Sequence, residues 1–359
     1  PMLGTTMITH SSNSNTTHRN TNSNTNAHRH RHRQGGTGAA TTRPKMNIAA
    51  QNLRGLGTTQ DKLEDITREM DENNIHVLMI TETWCGNRDE GRLDSGYLLL
   101  TSGIGRRSGC RGTQGVGFIL SPQLAQQYEE SGRQFCGHGG RLATPRLPLP
   151  QQGNTDDTEL YLVVAYAPVS TAGTTQRRIF HDDLDLLMDK SRQNEVMLVG
   201  GDFNAALGGP SPHDNVCGQH ASAHTNTAGT ELRGLLVLHG LFSPVTCFNS
   251  QYKGSWTHMR SKKQHQLDHI FMAHTEKNRV RKCRYSHMLA DSDHFSVRLQ
   301  LSLGLQRKRK MKTTRQLNGA KDYDSRFGPN LPAEDRESTC RQIAEAYHRN
   351  TTATTTTDA

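Results

Sequence analysis

Apolar and polar positions alternate with strand-like and helix-like periods from Met46 onward. "MNIAAQNL" and "IHVLMITETW" read as strands. They bracket "TTQDKLEDITREMDENN", where Leu63, Ile66 and Met70 recur at helical spacing behind a threonine near the start. "GVGFILS", "RLATPRLPL", "LYLVVAYAP" and "EVMLVGGDFN" follow as strands, with "RRIFHDDLDLLMDK" as a helix between the last two. "AGTELRGLLVLHGL" is a further amphipathic helix, and "HQLDHIFMA" and "HFSVRLQLSL" complete the strands. The prolines of "ATPRLPLPQQGNTDDTEL" suit one hairpin with an irregular loop. "AALGGPSPHDNVCGQHASAHTNT" is too poor in apolar residues to pack as a helix, and reads as a substrate-facing loop or a surface insertion. Interspersed strands and helices over residues 46–303 predict one α/β domain.

The ends have another texture. Residues 1–45 hold "SSNSNTTHRNTNSNTNAHRHRHRQGGTGAATT", with almost nothing to bury against the entropy of ordering, and are expected to be a disordered basic tail rich in His, Asn and Thr. Residues 304–359 read as a basic linker and a largely disordered C-terminal tail. The chain has 359 residues and a formal charge of +9, and that charge is unevenly placed. The first tail has 6 Lys/Arg and no Asp/Glu, the last 11 against 7, and residues 46–303 have 26 against 27. The body is thus nearly neutral between basic flanks, so salt-sensitive affinity for nucleic acid is expected from the tails.

Seven scattered cysteines without a CxxC pair argue against a disulfide framework or a structural zinc site. No stretch reaches the apolar length of a membrane span, and the polar N-terminus lacks a signal-peptide core. The expectation is a soluble intracellular chain, nuclear ahead of cytoplasmic because "QRKRKMK" suits a localisation patch. The initial proline suggests a fragment. Nothing points to a membrane or to an obligate protein partner.

Polar residues concentrate where strands end. Asn52, Glu82 and Tyr166 close three strands, Asp202 and Asn204 close a fourth, Asp268 opens another, and Asp293 and His294 precede the last. Singly, each suits a turn or a helix cap. Together they are hard oxygen donors, amides and one imidazole, a set suited to magnesium held through carboxylates and a substrate phosphate.

The series "QN", "TETW", "AYAP", "GGDFNA", "SWTH…QLDHIF" and "SDHFSV", in this order, resembles the endonuclease/exonuclease/phosphatase superfamily over residues 46–303. "NTAGTELRGLLVLHGLFSPVTCFNSQYKGSWTH" and "QLDHIF" are similar to the apurinic-endonuclease-like domains of non-LTR retrotransposons. The resemblance implies a four-layer α/β sandwich, two facing mixed β-sheets flanked by helices, with the active site at one edge. It implies magnesium-dependent hydrolysis of phosphodiesters, manganese being able to substitute, by an endonuclease that nicks DNA. Glu82 and Asn52 would hold the metal, with Asp293 as a further metal or water ligand. Asp202 would take a proton from the attacking water and Asn204 would fix that water or the phosphate, both facing one side of an extended segment past a buried Phe203. His294 would donate to the scissile phosphate while Asp268 fixes its tautomer and charge, and Tyr166 would add a phenolic donor. Asn226 would reach the phosphate or metal from the middle loop. Trp256 and His258 stay outside the catalytic set. Two rivals stand beside this reading: a phosphoesterase acting on a small or lipid phosphoester, and a catalytically silent nucleic-acid-binding remnant of a retroelement.

Overall fold

The computed structural model describes residues 44–303 apart from 57–60, 87, 105–113, 150–158, 258–260, 288, 290 and 291. The expected C-terminal tail, residues 1–43 of the expected N-terminal tail and His258 lie outside the described residues, while Lys45, expected in that tail, opens the first strand.

The chain opens with β1 (Lys45–Asn52), α1 (Asp61–Glu72), β2 (Val77–Thr81), β3 (Asp89–Arg92), β4 (Leu98–Ser102), β5 (Val116–Leu120) and α2 (Pro122–Glu130). It continues through β6 (Phe135–His138), β7 (Leu142–Pro148), β8 (Glu159–Tyr166), α3 (Thr174–Met188), β9 (Glu195–Asp202), α4 (Thr227–Leu238) and β10 (Leu241–Phe242). β11 (Trp256–Thr257), β12 (Gln264–His265), β13 (Asp268–Ala273), β14 (Val280–Ser286) and β15 (Ser296–Ser302) complete it. A seven-stranded sheet runs β14-β15-β1-β2-β5-β4-β3, a six-stranded one runs β10-β13-β9-β8-β7-β6, and β11 and β12 form a separate hairpin. β7 and β8 pair antiparallel, as the proline-rich hairpin reading requires.

The two large sheets face each other across the main core. Ile48, Met79 and Phe118 of the first sheet pack with Leu162, Leu198 and Ile270 of the second. Strand alternation sends the intervening apolar residues outward to meet helices. Ile66 and Met70 of α1 cover the first sheet with Leu78 and Ile80, while Phe180, Leu184, Leu232 and Leu236 of α3 and α4 cover the second. The layers are thus helix, sheet, sheet, helix, the four-layer sandwich that the sequence predicts. α2 is an addition: Leu124, Ala125 and Tyr128 plug the core between the sheets.

Glycines fix how closely the layers approach. A side chain at Gly200 would meet the Met79 sulfur of the opposite sheet at 2.4 Å, and one at Gly201 would meet the Ala165 carbonyl of the adjacent strand at 2.0 Å. Gly201 also has φ +140°, a conformation that side chains disfavour. The two glycines therefore serve backbone approach and deliver Asp202 at a fixed height. Among the described residues, no helix is long and apolar enough to cross a membrane.

The segment after Asn204 is not a free surface insertion. Ala205, Ala206, Leu207 and Val216 are buried beneath α4. Arg233 of α4, itself buried, grips both carboxylate oxygens of Asp214 at 2.9 Å and donates to the carbonyls of Leu207 and Gly209. A few buried side chains and one clamped ion pair thus replace a helical apolar stripe.

Candidate active site

Strand register brings the polar strand ends together. Asn52 lies beside Thr81 in the first sheet, so Glu82 follows at the same edge. In the second sheet Tyr166 pairs with Asp202, and Asp202 with Asp268. The sheets meet at this edge through side chains. The Asn52 amide nitrogen donates to Glu82 Oε1 at 2.8 Å and to Asp202 Oδ2 at 3.0 Å, and the Tyr166 hydroxyl donates to Glu82 Oε1 at 2.9 Å.

His294 closes the cluster, its Nδ1 2.8 Å from Asp268 Oδ2. Its loop is stitched to β1, because Gln51 makes two hydrogen bonds with the Leu289 backbone and Ser292 Oγ donates to the Asn52 carbonyl. Ser292 Oγ also accepts from the His294 N–H, while Ser255 Oγ accepts the N–H groups of Leu267 and Asp268. Ser292, Ser255 and Gln51 position the site although sequence reasoning missed them. Ser292 and Ser255 were visible as the serines that open "SDHFSV" and "SWTH".

The electrostatics follow from burial. Burial and the neighbouring Asp268 charge push the Asp202 carboxyl up to about 7, against the opposing pull of His294, Asn52 and the Asn204 N–H. Burial alone would lower His294, but the charge and hydrogen bond of Asp268, with the charges of Asp202 and Asp293, hold it up to about 10. The imidazole is thus cationic at neutral pH, and with Nδ1 engaged by Asp268 it has Nε2–H to offer. Burial, followed by the charge and hydrogen bond of Glu82, holds the Tyr166 phenol far above its ordinary value, so it remains a donor.

Several expected roles change in detail. The Asn52 amide nitrogen bridges the carboxylates, while its Oδ1 accepts the Arg54 N–H at 3.0 Å and keeps a second lone pair. Asn204 is placed by a tight turn, not by strand alternation: β9 ends at Asp202, Asn204 has φ +47°, and its N–H donates to Asp202 Oδ1 at 3.0 Å. Its side-chain amide donates to the Ala167 carbonyl. Phe203 is buried against Phe271 on the opposite side, as expected.

Asn226 is the N-cap of α4. Its Oδ1 accepts from Gly229 and Ala206, and its amide donates to the Asn204 carbonyl, so it ties the start of α4 to the segment after Asp202. Asp293 is the outermost member. Its Oδ2 lies 3.4 Å from both Arg54 Nη1 and Trp256 Nε1, and its Oδ1 is 4.0 Å from His294 Nε2. Trp256, which sequence reasoning set aside, is thereby tied to the rim.

The donor set fits a divalent cation. Buried Asp202 and Asp268 each offer a carboxylate oxygen within 4.8 Å of the other and of a His294 ring nitrogen, and Asn52 links Glu82 to the same group. The Asp268 Oδ1 is buried without a hydrogen-bond partner among the described residues. Three clustered carboxylates against one imidazolium leave negative charge that burial penalises and a hard cation relieves. Backbone strain concentrates here as well, since Arg54, Glu82, Trp84 and Asn204 all have positive φ near +50°.

Comparison with known proteins gives a consistent fold. The sequence profile described as Endonuclease/Exonuclease/phosphatase family matches residues 49–294. A curated relative, craniofacial development protein 2 of Tragulus javanicus, is 25% identical over 295 residues, which is 81% of this chain and 48% of that protein. The chain thus spans about half the length of that relative. Among solved structures, the AP endonuclease LMAP from Leishmania major superposes with TM-score 0.53 at 15% identity, covering 73% of this chain and 89% of its own. A 3'-5' exonuclease from Neisseria meningitidis superposes with TM-score 0.52 at 14% identity, covering 72% and 100%.

Proposed function

The chain belongs to the endonuclease/exonuclease/phosphatase family, and from that premise we propose that it is a magnesium-dependent endonuclease that nicks DNA, of the kind found in non-LTR retrotransposons. The observation that carries the reading is the buried Asp202–Asp268–His294 group, joined through Asn52 to Glu82 across the two sheets. The ligands proposed for the cation are Glu82 and Asn52, with Asp293 as a further metal or water ligand and manganese as a substitute for magnesium. When bound, the cation supplies Lewis-acid stabilisation of charge on the phosphate.

The protein groups divide the remaining work. Asp202, raised toward neutrality by burial, takes the proton of the attacking water as a new oxygen–phosphorus bond forms. The Asn204 N–H and the Asn52 amide hold that carboxylate in place. His294 donates from Nε2 to a phosphate oxygen while Asp268 keeps it protonated and oriented. The ester bond to the leaving oxygen breaks, that oxygen takes a proton from solvent water, and Asp202 returns its proton to solvent. Tyr166 fixes Glu82 from the second sheet. A nuclear location belongs to the same proposal and is supported by "QRKRKMK" alone.

Relaxation of supercoiled plasmid with magnesium, but not with EDTA or with Asp202→Ala, is the expected result. Release of phosphate from small phosphoesters without plasmid nicking would favour the phosphoesterase reading. Plasmid binding without hydrolysis of any ester, indifferent to Glu82→Ala, would favour the silent module.

A further inference from the structure

A groove of about 690 Å³ lies on the outer face of the seven-stranded sheet, between α1, the β14 edge and residues 249–252. It exists because α1 buries Ile66 and Met70 over the middle of the sheet. On β14, Cys283 and Tyr285 face the main core, so Lys282 and Arg284 take the other face by alternation. On β15, Val297 and Leu299 are core residues and Arg298 faces outward with them.

Two features of this face point to an anion. Arg284 and Arg298 are direct cross-strand partners in the antiparallel ladder, a like-charge pairing that costs stability unless something negative lies between them. Burial, then the Arg284 charge, lowers the Arg298 pKa, and Glu69 opposes this more weakly. Lys282 and Arg284 also have no ion pair or side-chain hydrogen bond among the described residues. Two residues along a strand place them about 7 Å apart on one face, a spacing comparable to successive phosphates of a nucleic-acid strand. Glu69 and Glu72 line the helical wall, so a bound anion is directed to the strand wall.

A ring contact joins the groove to the loop that carries His294. Tyr252 in its lining stacks on Phe295 at 4.2 Å, and Phe295 directly follows His294. His287, also in the lining, is held beside Tyr252 and bonds β15 through its carbonyl.

We propose that this groove binds the sugar-phosphate backbone of a nucleic-acid strand outside the cleavage position, with Lys282 and Arg284 contacting its phosphates beside an Arg298 already held by Ser296, Asn73 and the His287 carbonyl. The inference rests on the nuclease reading for its ligand, yet its test is separate from catalysis.

The full chain and Lys282→Glu/Arg284→Glu are titrated against a fluorescent DNA duplex in EDTA over a range of salt, with and without excess inorganic phosphate. The expected result is at least about a tenfold loss of affinity and a salt slope reduced by about 2 for the two lost phosphate contacts. Melting temperature should be unchanged or higher, since the Arg284–Arg298 repulsion is relieved. Hydrolysis of a small soluble phosphodiester should be unaffected. Equal affinity and slope for the two proteins would overturn the proposal, as would displacement of the duplex from the wild type alone by inorganic phosphate at low concentration. If neither protein hydrolyses any ester while the binding difference persists, the proposed function fails and the groove stands.

Discussion

The Nδ1 of His294 lies 2.8 Å from Asp268 Oδ2, while the other oxygen of that carboxylate is buried without a hydrogen-bond partner among the described residues. One oxygen thus orients the imidazole, and the other is left without a donor to offset its charge. Asp202 is its strand neighbour, and burial with the Asp268 charge raises it to about 7. The pair is an arrangement in which positive charge is needed twice, once from the imidazolium and once from a cation.

Metal should therefore stabilise the fold by binding the native state alone. Magnesium added to the EDTA-treated protein should raise the melting temperature by a few degrees, as expected for a ligand at about a hundred times its Kd. Glu82→Gln should lose most of that rise. Differential scanning fluorimetry checks it, and an equal rise in the two proteins would count against this ligand.

Arg233 and Asp214 give a stability prediction remote from chemistry. Arg233→Ala would leave a buried carboxylate and two carbonyls without their donor. A loss of roughly 3–5 kcal/mol in urea unfolding is expected, and Arg233→Ala/Asp214→Ala should lose less than the sum of the two single variants. Full additivity would show that the clamp is not coupled.

How legible these features were depends on what made them. Asn52, Glu82, Tyr166, Asp202, Asp268 and His294 stand at strand ends where hydrophobic alternation stops, so their convergence was readable. β14 was missed because its register shifts between Val280 and Lys282, which puts Val280 out of phase and leaves only Cys283 and Tyr285 as alternating apolar residues. α2 was missed because only Leu124, Ala125 and Tyr128 are buried among Gln and Glu. The capping role of Asn226 was not legible because a capping amide and a phosphate-binding amide are the same residue in sequence; the Gly229 N–H on its oxygen reveals the cap. The turn that sets Asn204 has φ +47°, which no hydrophobic pattern encodes.

His269 should make stability fall in acid. Burial lowers its pKa to about 4, with Ser243 at Nδ1 and the Gln266 carbonyl at Nε2. The unfolded chain binds this proton at an ordinary value of about 6.5, so the unfolded state gains protons first as pH falls. Native stability should decline from about pH 6.5 to about pH 4, by up to roughly 3 kcal/mol from this group. Urea unfolding at several pH values would show it as the component absent from His269→Gln; identical profiles would contradict it.

The basic flanks should dominate nonspecific binding. Deleting residues 1–45 and 304–359 removes 17 Lys/Arg and 7 Asp/Glu and leaves a nearly neutral body. DNA affinity should fall and its dependence on salt should flatten, read by fluorescence anisotropy at several salt concentrations. An unchanged salt slope would place the electrostatic contacts within residues 46–303.

The central claim is that the buried carboxylate–imidazole group hydrolyses phosphodiesters in DNA. Its most direct test is supercoiled plasmid incubated with the wild type, Asp202→Ala and Asp268→Asn, each with magnesium and with EDTA, folding being confirmed by circular dichroism. Nicking by the wild type with magnesium, abolished by EDTA or Asp202→Ala and reduced at least about a hundredfold by Asp268→Asn, is the predicted result. Nicking that persists in folded Asp202→Ala, or none from folded wild type with magnesium, would contradict it.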